Sequence, residues 1–405
     1  MGAAMRGACT AAIVVSLFGL GGCVGPPALR QSVLGYDETV GLLDQEILLL
    51  NVARLSDDRP PHFTVTSSIA ATFNFETGGS IGGSVFEGAG TDVLSLSLES
   101  RASENPTFSI LPMSGKEFTE RVLQPFNENV FAFFGFQGVR IEVLSRLMAD
   151  GIEVLDPDNQ VEAFYFNKIT ERAQFHMFRQ IVLHLGALQD AGRLHVSVLT
   201  YEQVILDRVK SQPSTDDITK ALENNLSWRQ NADGTFTLTR QVRGRVVITD
   251  RDIRRLSNAE RQELNEVASA YPENFVFVDV RDGQIPGRSG ELGAPFQIRG
   301  AFKLRSLFAI LDFVGKSIEK FPEERVTPDP RSGPIDERRN PVNTLDIRVT
   351  DDRPTDSDRA IEYLGRFYSV GTTRWDKLAF TILYELFQVT VTEVNQIGIP
   401  VTIAK

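Results

Sequence analysis

The sequence predicts an α+β protein: an N-terminal helix, a glycine-rich antiparallel β-hairpin, a helical middle, an α+β insertion and a C-terminal strand and helix. Three observations carry this. Apolar residues recur at three- and four-residue steps in 29–55 and in 175–188, the period of a helix with one buried face. Strict alternation appears in 69–76 and 94–99, the period of a strand. Turn and cap signals punctuate the rest, notably Asn231 to Gly234 and Ser257-Asn258-Ala259-Glu260.

The chain has 405 residues, of which 42% are hydrophobic and 23% charged, a globular balance large enough for a sizeable core. Its net charge is −11 with scattered basic residues, which disfavours a nucleic-acid partner and a charge-driven hold on anionic headgroups.

Residues 1–22 have the layout of a secretory signal: Arg6 as the charge, an apolar core at 11–20, then small residues. Leu20-Gly21-Gly22-Cys23 resembles the bacterial lipobox. That resemblance implies cleavage before Cys23, diacylglycerol on its sulfur and acylation (palmitate or a similar chain) of the new amine. Cys9 and Cys23 are the two cysteines. One leaves with the signal and lipid consumes the other, so a mature chain would hold no disulfide, thiolate nucleophile or cysteine-ligated metal. Two or three acyl chains anchor stably, at about 0.8 kcal/mol per buried methylene. Val24 stands where Gram-negative lipoproteins retained in the inner membrane commonly carry Asp. By that resemblance the expected address is the periplasmic face of the outer membrane.

The elements follow in order. Residues 29–55 predict a helix with Leu42, Ile47, Leu48 and Val52 on one face, ended by Asp57-Asp58-Arg59-Pro60-Pro61. Ile69, Ala71, Phe73 and Phe75 alternate with polar or small residues, and Leu94, Leu96 and Leu98 do the same. The glycine-rich stretch 76–92 between them predicts a flexible loop or a weak, bulged strand pair. The segment suits either a hairpin covering a soluble core or one that inserts in a membrane. A lone hairpin has open edges and cannot span alone, so the second alternative needs a ring of subunits.

From 113 to 200 the pattern is mostly helical: one helix before Pro125, one over 139–148, and a long one over 162–191, followed by a strand at 195–199. Residues 207–290 form an α+β insertion or second lobe, with a hairpin, a helix from Ser257 to about Tyr271, a strand over 274–280 and a loop over 283–295. A helix spans 301–321. Residues 322–345, rich in proline and charge, predict an exposed loop. A strand over 360–370 and a helix over 374–392, capped at Thr373, close the chain. The expected division is a signal at 1–22, a main region at 23–206, the insertion at 207–290 and the rest of the main domain at 291–405.

Motifs for chemistry are weak. Gly78-Gly79-Ser80-Ile81-Gly82 matches GxSxG, but a nucleophile elbow needs a strand before it and a helix after it. Gly315-Lys316-Ser317 ends like a phosphate loop, yet Ile310 stands where the first glycine belongs, inside an amphipathic helix. Asp156-Pro157-Asp158-Asn159 lacks the glycine and glutamate of a calcium loop and predicts a helix cap at Asp158 or Asn159. His176 and His184 are eight residues apart, about 12 Å along a helix, too far to share an ion. His62 and His195 stand alone. Asp57-Asp58, Asp351-Asp352 and Asp356-x-Asp358 suit solvated turns. No catalytic, metal or cofactor residue is expected, and Cys23, the lipid acceptor, is the one site residue.

LLLNVARLSDDRPPHFTVTSSIAATF, ENPTFSILPMSGKEFTERVLQP, KLRSLFAILDFV and GRFYSVGTTRWDKLAFTILYELFQ resemble a family of uncharacterised bacterial outer-membrane lipoproteins. The resemblance covers the mature chain apart from 207–290. It implies an address and no activity. The expectation is a non-enzymatic envelope lipoprotein with a scaffold or assembly role, held to the membrane by lipid and partnered by its own copies or an envelope protein. The alternatives are a subunit of an oligomeric outer-membrane channel contributing a hairpin from 63–100, and an envelope-polymer hydrolase using loop carboxylates.

Overall fold

A computed structural model of the chain describes residues 25–83, 94–287, 290–357, 359–391 and 401–403. The chain is of the α+β class, and its contacts divide it into two units. One comprises His62–Ser114 with the first helix as far as Leu48 and the C-terminal strand; the other comprises Leu49–Pro61 and Gly115–Thr392.

In the first unit, α1 (Gly25–Ser56) begins before the predicted 29. It leads to the hairpin β1 (Phe63–Gly83) and β2 (Leu94–Met113). The strands pair antiparallel from Phe63↔Met113 to Gly83↔Leu94, with a bulge between Thr66 and Ser68. Glu76 to Gly83, part of the glycine-rich stretch, is therefore paired strand and not loop; the tip of the hairpin lies outside the described residues. A short strand, β13 (Val401–Ile403), pairs with β2 at Phe108 to Ile110.

The second unit is built on a mixed sheet. Its strands run β4 (Val161–Phe166), β3 (Ala149–Leu155), β9 (Ile298–Leu304), β8 (Phe275–Val280), β7 (Phe236–Thr249), β5 (His195–Val209), with β6 (Leu226–Gln230) also on β7. The pairing is antiparallel except between β7 and β8, which run parallel. That connection needs a crossover helix, and α7 (Asn258–Ser269) supplies it, opened by the expected Ser257/Glu260 capping box. Leu264 and Ala268 of α7 pack with Val247, Phe277 and Ala301 on one face of the sheet. On the other, Phe302 meets Phe178 edge to face, ring centres 6.1 Å apart. Burial on both faces explains why β8 (FVFVDV) is nearly continuously apolar. Residues 207–290 thus add β7 and β8 to the same sheet as β3 and β9. They also include α6 (Thr215–Glu223).

Helices α2 (Lys116–Leu123), α3 (Glu128–Phe136) and α4 (Ile141–Met148) follow the hairpin. Four expectations need correction here. The long helix predicted from 162 begins at Arg172 (α5, Arg172–Asp190), because 149–166 forms the β3–β4 hairpin. The expected helix cap is that hairpin's turn: Asp156 Oδ1 accepts from the amides of Asp158 and Gln160, and Asn159 adopts φ +61°. The helix predicted over 301–321 is β9 followed by α8 (Leu307–Glu319), with Ser306 as N-cap between them. The strand predicted over 360–370 is two, β11 (Ala360–Tyr363) and β12 (Arg366–Val370), turning at Leu364 (φ +51°) and Gly365 (φ +77°). They join β10 (Ile347–Thr350) in a small sheet, and α9 (Arg374–Val391) ends the unit. The loop 322–345 is also more than an exposed connection, since Glu323, Val326, Ser332, Thr344 and Leu345 within it are buried.

Gly300 marks where the sheet admits no side chain. It pairs with both Val154 and Val278, and a Cβ there would overlap the Glu153 carbonyl. Relief would require opening the β3–β9 ladder. Gly300→Ala should lower unfolding free energy by about 2–4 kcal/mol, measurable by urea denaturation. An unchanged midpoint would mean that the two strands are not held this closely.

Candidate functional site

The hairpin is where register turns sequence into a surface. Directly paired residues share a face and alternate along each strand. Below the bulge, Phe63, Val65, Leu111 and Met113 share one face, and Phe63 and Met113 are buried. Beyond it that same face carries Thr72, Asn74, Ser80, Ser95, Ser97 and Ser103, with Glu76 opposite Arg101. The other face carries Ile69, Phe73, Phe75, Ile81, Leu94, Leu96, Leu98 and Phe108, with Glu104 as its charged residue. The bulge leaves Ser67 outside the ladder, so on β1 apolar character changes there to the face on which β2 carries Phe108, Leu98, Leu96 and Leu94. From Ile69 to Gly83 a strand covers about 45 Å at 3.3 Å per residue. Tilted by about 45°, that projects onto roughly 30 Å, the thickness of a bilayer's hydrocarbon core.

The second unit holds most of the buried ionic groups among the described residues, which the sequence did not single out. Arg179, in the apolar stripe of α5, pairs with Glu323, and both are buried. Glu323 also accepts from Thr344, 2.5 Å from its amide and 2.8 Å from its hydroxyl. Burial pushes the Arg179 guanidinium below its ordinary value, and the Glu323 charge opposes this. Arg146 of α4 donates to the carbonyls of Pro341 (3.0 Å) and Val342 (2.9 Å) and lies over the Trp375 ring. Arg305 donates to Asn167 O at 2.8 Å and covers Phe313; burial brings it down to about 10. Asp279, fully buried, accepts from Arg251, Arg281 and Arg299 at 2.8–3.1 Å. These bridges fasten loops to helices and strands to one another. The available signal was an arginine inside an apolar helical run, as in IEVLSRLM and FHMFRQIVL.

The residues weighed in the sequence fall as follows. Cys23, the expected lipid acceptor, lies outside the described residues. Gly78 to Gly82 pair with Glu99 to Ser95 inside the hairpin, not at a strand-to-helix turn. Gly315 lies on α8, where a Cβ would come 2.8 Å from the Val52 carbonyl: the glycine admits the end of α1. Lys316 bonds Asp312 and Ser317 bonds the Val314 carbonyl, both at 2.8 Å. Among the acid pairs, Asp57 bonds Arg59, Asp58 bonds Lys320 and Asp356 bonds Arg348. His176 Nε2 meets Glu324 Oε1 at 2.5 Å.

His184 is more deeply engaged than a core-edge histidine. Its Nε2 lies 2.7 Å from Gly283 O and its Nδ1 lies 3.0 Å from Ser332 Oγ. A carbonyl only accepts, so Nε2 carries the proton and Nδ1 accepts from the Ser332 hydroxyl. Both residues are buried, and the pair ties the turn Pro330–Ser332 to α5.

No family model, curated protein or solved structure matches this chain. The site therefore rests on its own geometry.

Burial holds the native His184 pKa below its ordinary value. The unfolded state then binds more protons between the two values, so stability falls as pH drops through about 6.5 toward the native pKa. His184→Gln should remove this part of the slope in urea melts between about pH 5 and 7. An identical pH profile in the variant would show that His184 titrates alike in both states.

Proposed function

We propose that the chain is a lipid-anchored protein of the bacterial envelope, held through Cys23, with a structural or assembly role. The observation that carries the assembly part is the hairpin's two-faced register: beyond the bulge one face is apolar and the other polar, over a length suited to a tilted bilayer crossing. The signal layout, the lipobox resemblance and Val24 support an outer-membrane address. Among the described residues no helix is long and apolar enough to cross a membrane. The reading assigns no reaction to the chain.

The same register favours one form of assembly over others. Hairpins from several copies side by side would pair edge to edge and close, with apolar residues toward lipid and polar residues toward a lumen. The chain would then be a subunit of an oligomeric outer-membrane channel. Its partners are copies of itself and the membrane that its acyl chains enter.

A cysteine scan tests this. With Cys23 acylated and Cys9 removed with the signal, a single introduced cysteine would be the only thiol. Phe73→Cys, Phe75→Cys, Leu96→Cys and Leu98→Cys should resist a membrane-impermeant maleimide in membranes. Asn74→Cys, Ser95→Cys and Ser97→Cys should react. Equal reaction on both faces, unchanged by solubilisation, would contradict the proposal.

A further inference from the structure

Beside α8 the second unit has a cavity of about 360 Å³, bounded by that helix, the start of β3 and the segment 168–170. Part of its lining is aromatic: Phe308, Phe313 and Phe321. These rings can be reached by a solute, since Phe308 and Phe313 are part-exposed and Phe321 is 45% exposed.

Charge in the rest of the lining does not cancel. Asp312 bonds Lys316 at 2.8 Å, and Glu323 pairs with Arg179. Asp150 is left facing two cations, 3.4 Å from Lys168 Nζ and 3.9 Å from Arg305 Nε. Both distances exceed an ordinary N–H···O hydrogen bond. Neither nitrogen has a hydrogen-bond partner among the described residues. One positive charge is left over here, in a chain whose net charge is −11.

The two cations are placed differently. The Lys168 side chain is 51% exposed, so its ammonium is within reach of a ligand. The Arg305 side chain is 3% exposed. Its terminal nitrogens donate to the carbonyls of Arg146, Leu147 and Asn167, and its plane covers the Phe313 ring. All of these partners are neutral. A buried charge with no carboxylate in hydrogen-bond contact is costly, and an anion held at Lys168 would offset it across a low-dielectric wall. Aromatic lining with one surplus cation suits a ligand of matching halves, a ring and a single negative charge.

We propose that this cavity binds a compact aromatic carboxylate, its ring against Phe308, Phe313 and Phe321 and its carboxylate on Lys168 Nζ. The cavity lies within the second unit, and the proposal stands apart from the assembly reading.

The test is calorimetric titration of the full lipidated protein in detergent, with detergent alone as the blank. Three probes are compared: phenylacetate; phenylacetamide, which keeps the shape without the charge; and acetate, which keeps the charge without the ring. Phenylacetate should bind at millimolar concentration and raise the melting temperature. The other two should bind about tenfold more weakly or less, because the charge-assisted bond and the ring contact are each lost in one of them. Lys168→Gln should weaken phenylacetate binding about tenfold, and Phe321→Ala should weaken it too. Both side chains are exposed, so these variants probe binding without opening the core. Equal binding of phenylacetamide or of acetate would overturn the proposal. So would phenylacetate binding that is unchanged in either variant, or absent at millimolar concentration. The comparison of the three probes on the unaltered chain stands whatever the variants do.

Discussion

An antiparallel ribbon of two long strands leaves an unpaired backbone edge on each side, and that constraint governs the rest of this molecule. In the hairpin sheet β1 is an edge strand, and β13 covers β2 only at Phe108 to Ile110. Above that point no other strand pairs with either edge among the described residues. In water such edges invite pairing with another chain, and in lipid they cannot be left open. Two-stranded ribbons are also marginal alone. A second copy offers the same edges, so the closed ring proposed above would pair them all.

The bulge between Thr66 and Ser68 lets β1 bury Phe63 on one face and carry its outer aromatics on the other. Without it, the face that buries Phe63 and Met113 would carry Ile69, Phe73 and Phe75 on β1 further out. With it, apolar character passes to the opposite face. Without that extra residue the β1 aromatics would lie opposite the face that carries Leu94, Leu96 and Leu98 of β2, and neither side of the ribbon would be apolar.

The other unit solves the opposite problem. It buries arginines inside and gives them carbonyls, carboxylates and ring faces as partners, while Arg146 Nε and Nη1 and Arg179 Nε have no hydrogen-bond partner among the described residues. Breaking the Arg179–Glu323 pair by removing one partner would leave an uncompensated charge, a loss of about 3–5 kcal/mol in comparable buried pairs. The loop 322–345 is held to α4 and α5 by ionic and polar contacts, among them Arg179–Glu323 and Arg146 with the carbonyls of Pro341 and Val342.

The sequence revealed what depends on local pattern. The helices with a clear stripe and cap appeared near their predicted positions: α1, α4, α7 and α9. So did the alternating cores of β1 and β2. Strand β9 was hidden because AFKLRSLFAILDF is mostly apolar across the strand and the helix that follows, and a short apolar run fits either period. Strand β4 was hidden because VEAFYF leads straight into the stripe of α5. The extension of β1 through Gly78, Gly79, Gly82 and Gly83 depends on a partner strand that local propensity cannot supply. The buried Glu142 and Glu323 became visible only once non-local elements surrounded them. For the hairpin, the alternation was legible, but the change of face at the bulge required the register.

The central claim is that the hairpin functions in company. The native mass of the lipidated protein in mild detergent tests it most directly. The account predicts a defined particle of several copies, which dissociates to single chains when 69–108 is removed with the body still folded. A single-chain mass for the intact protein at every concentration would contradict it.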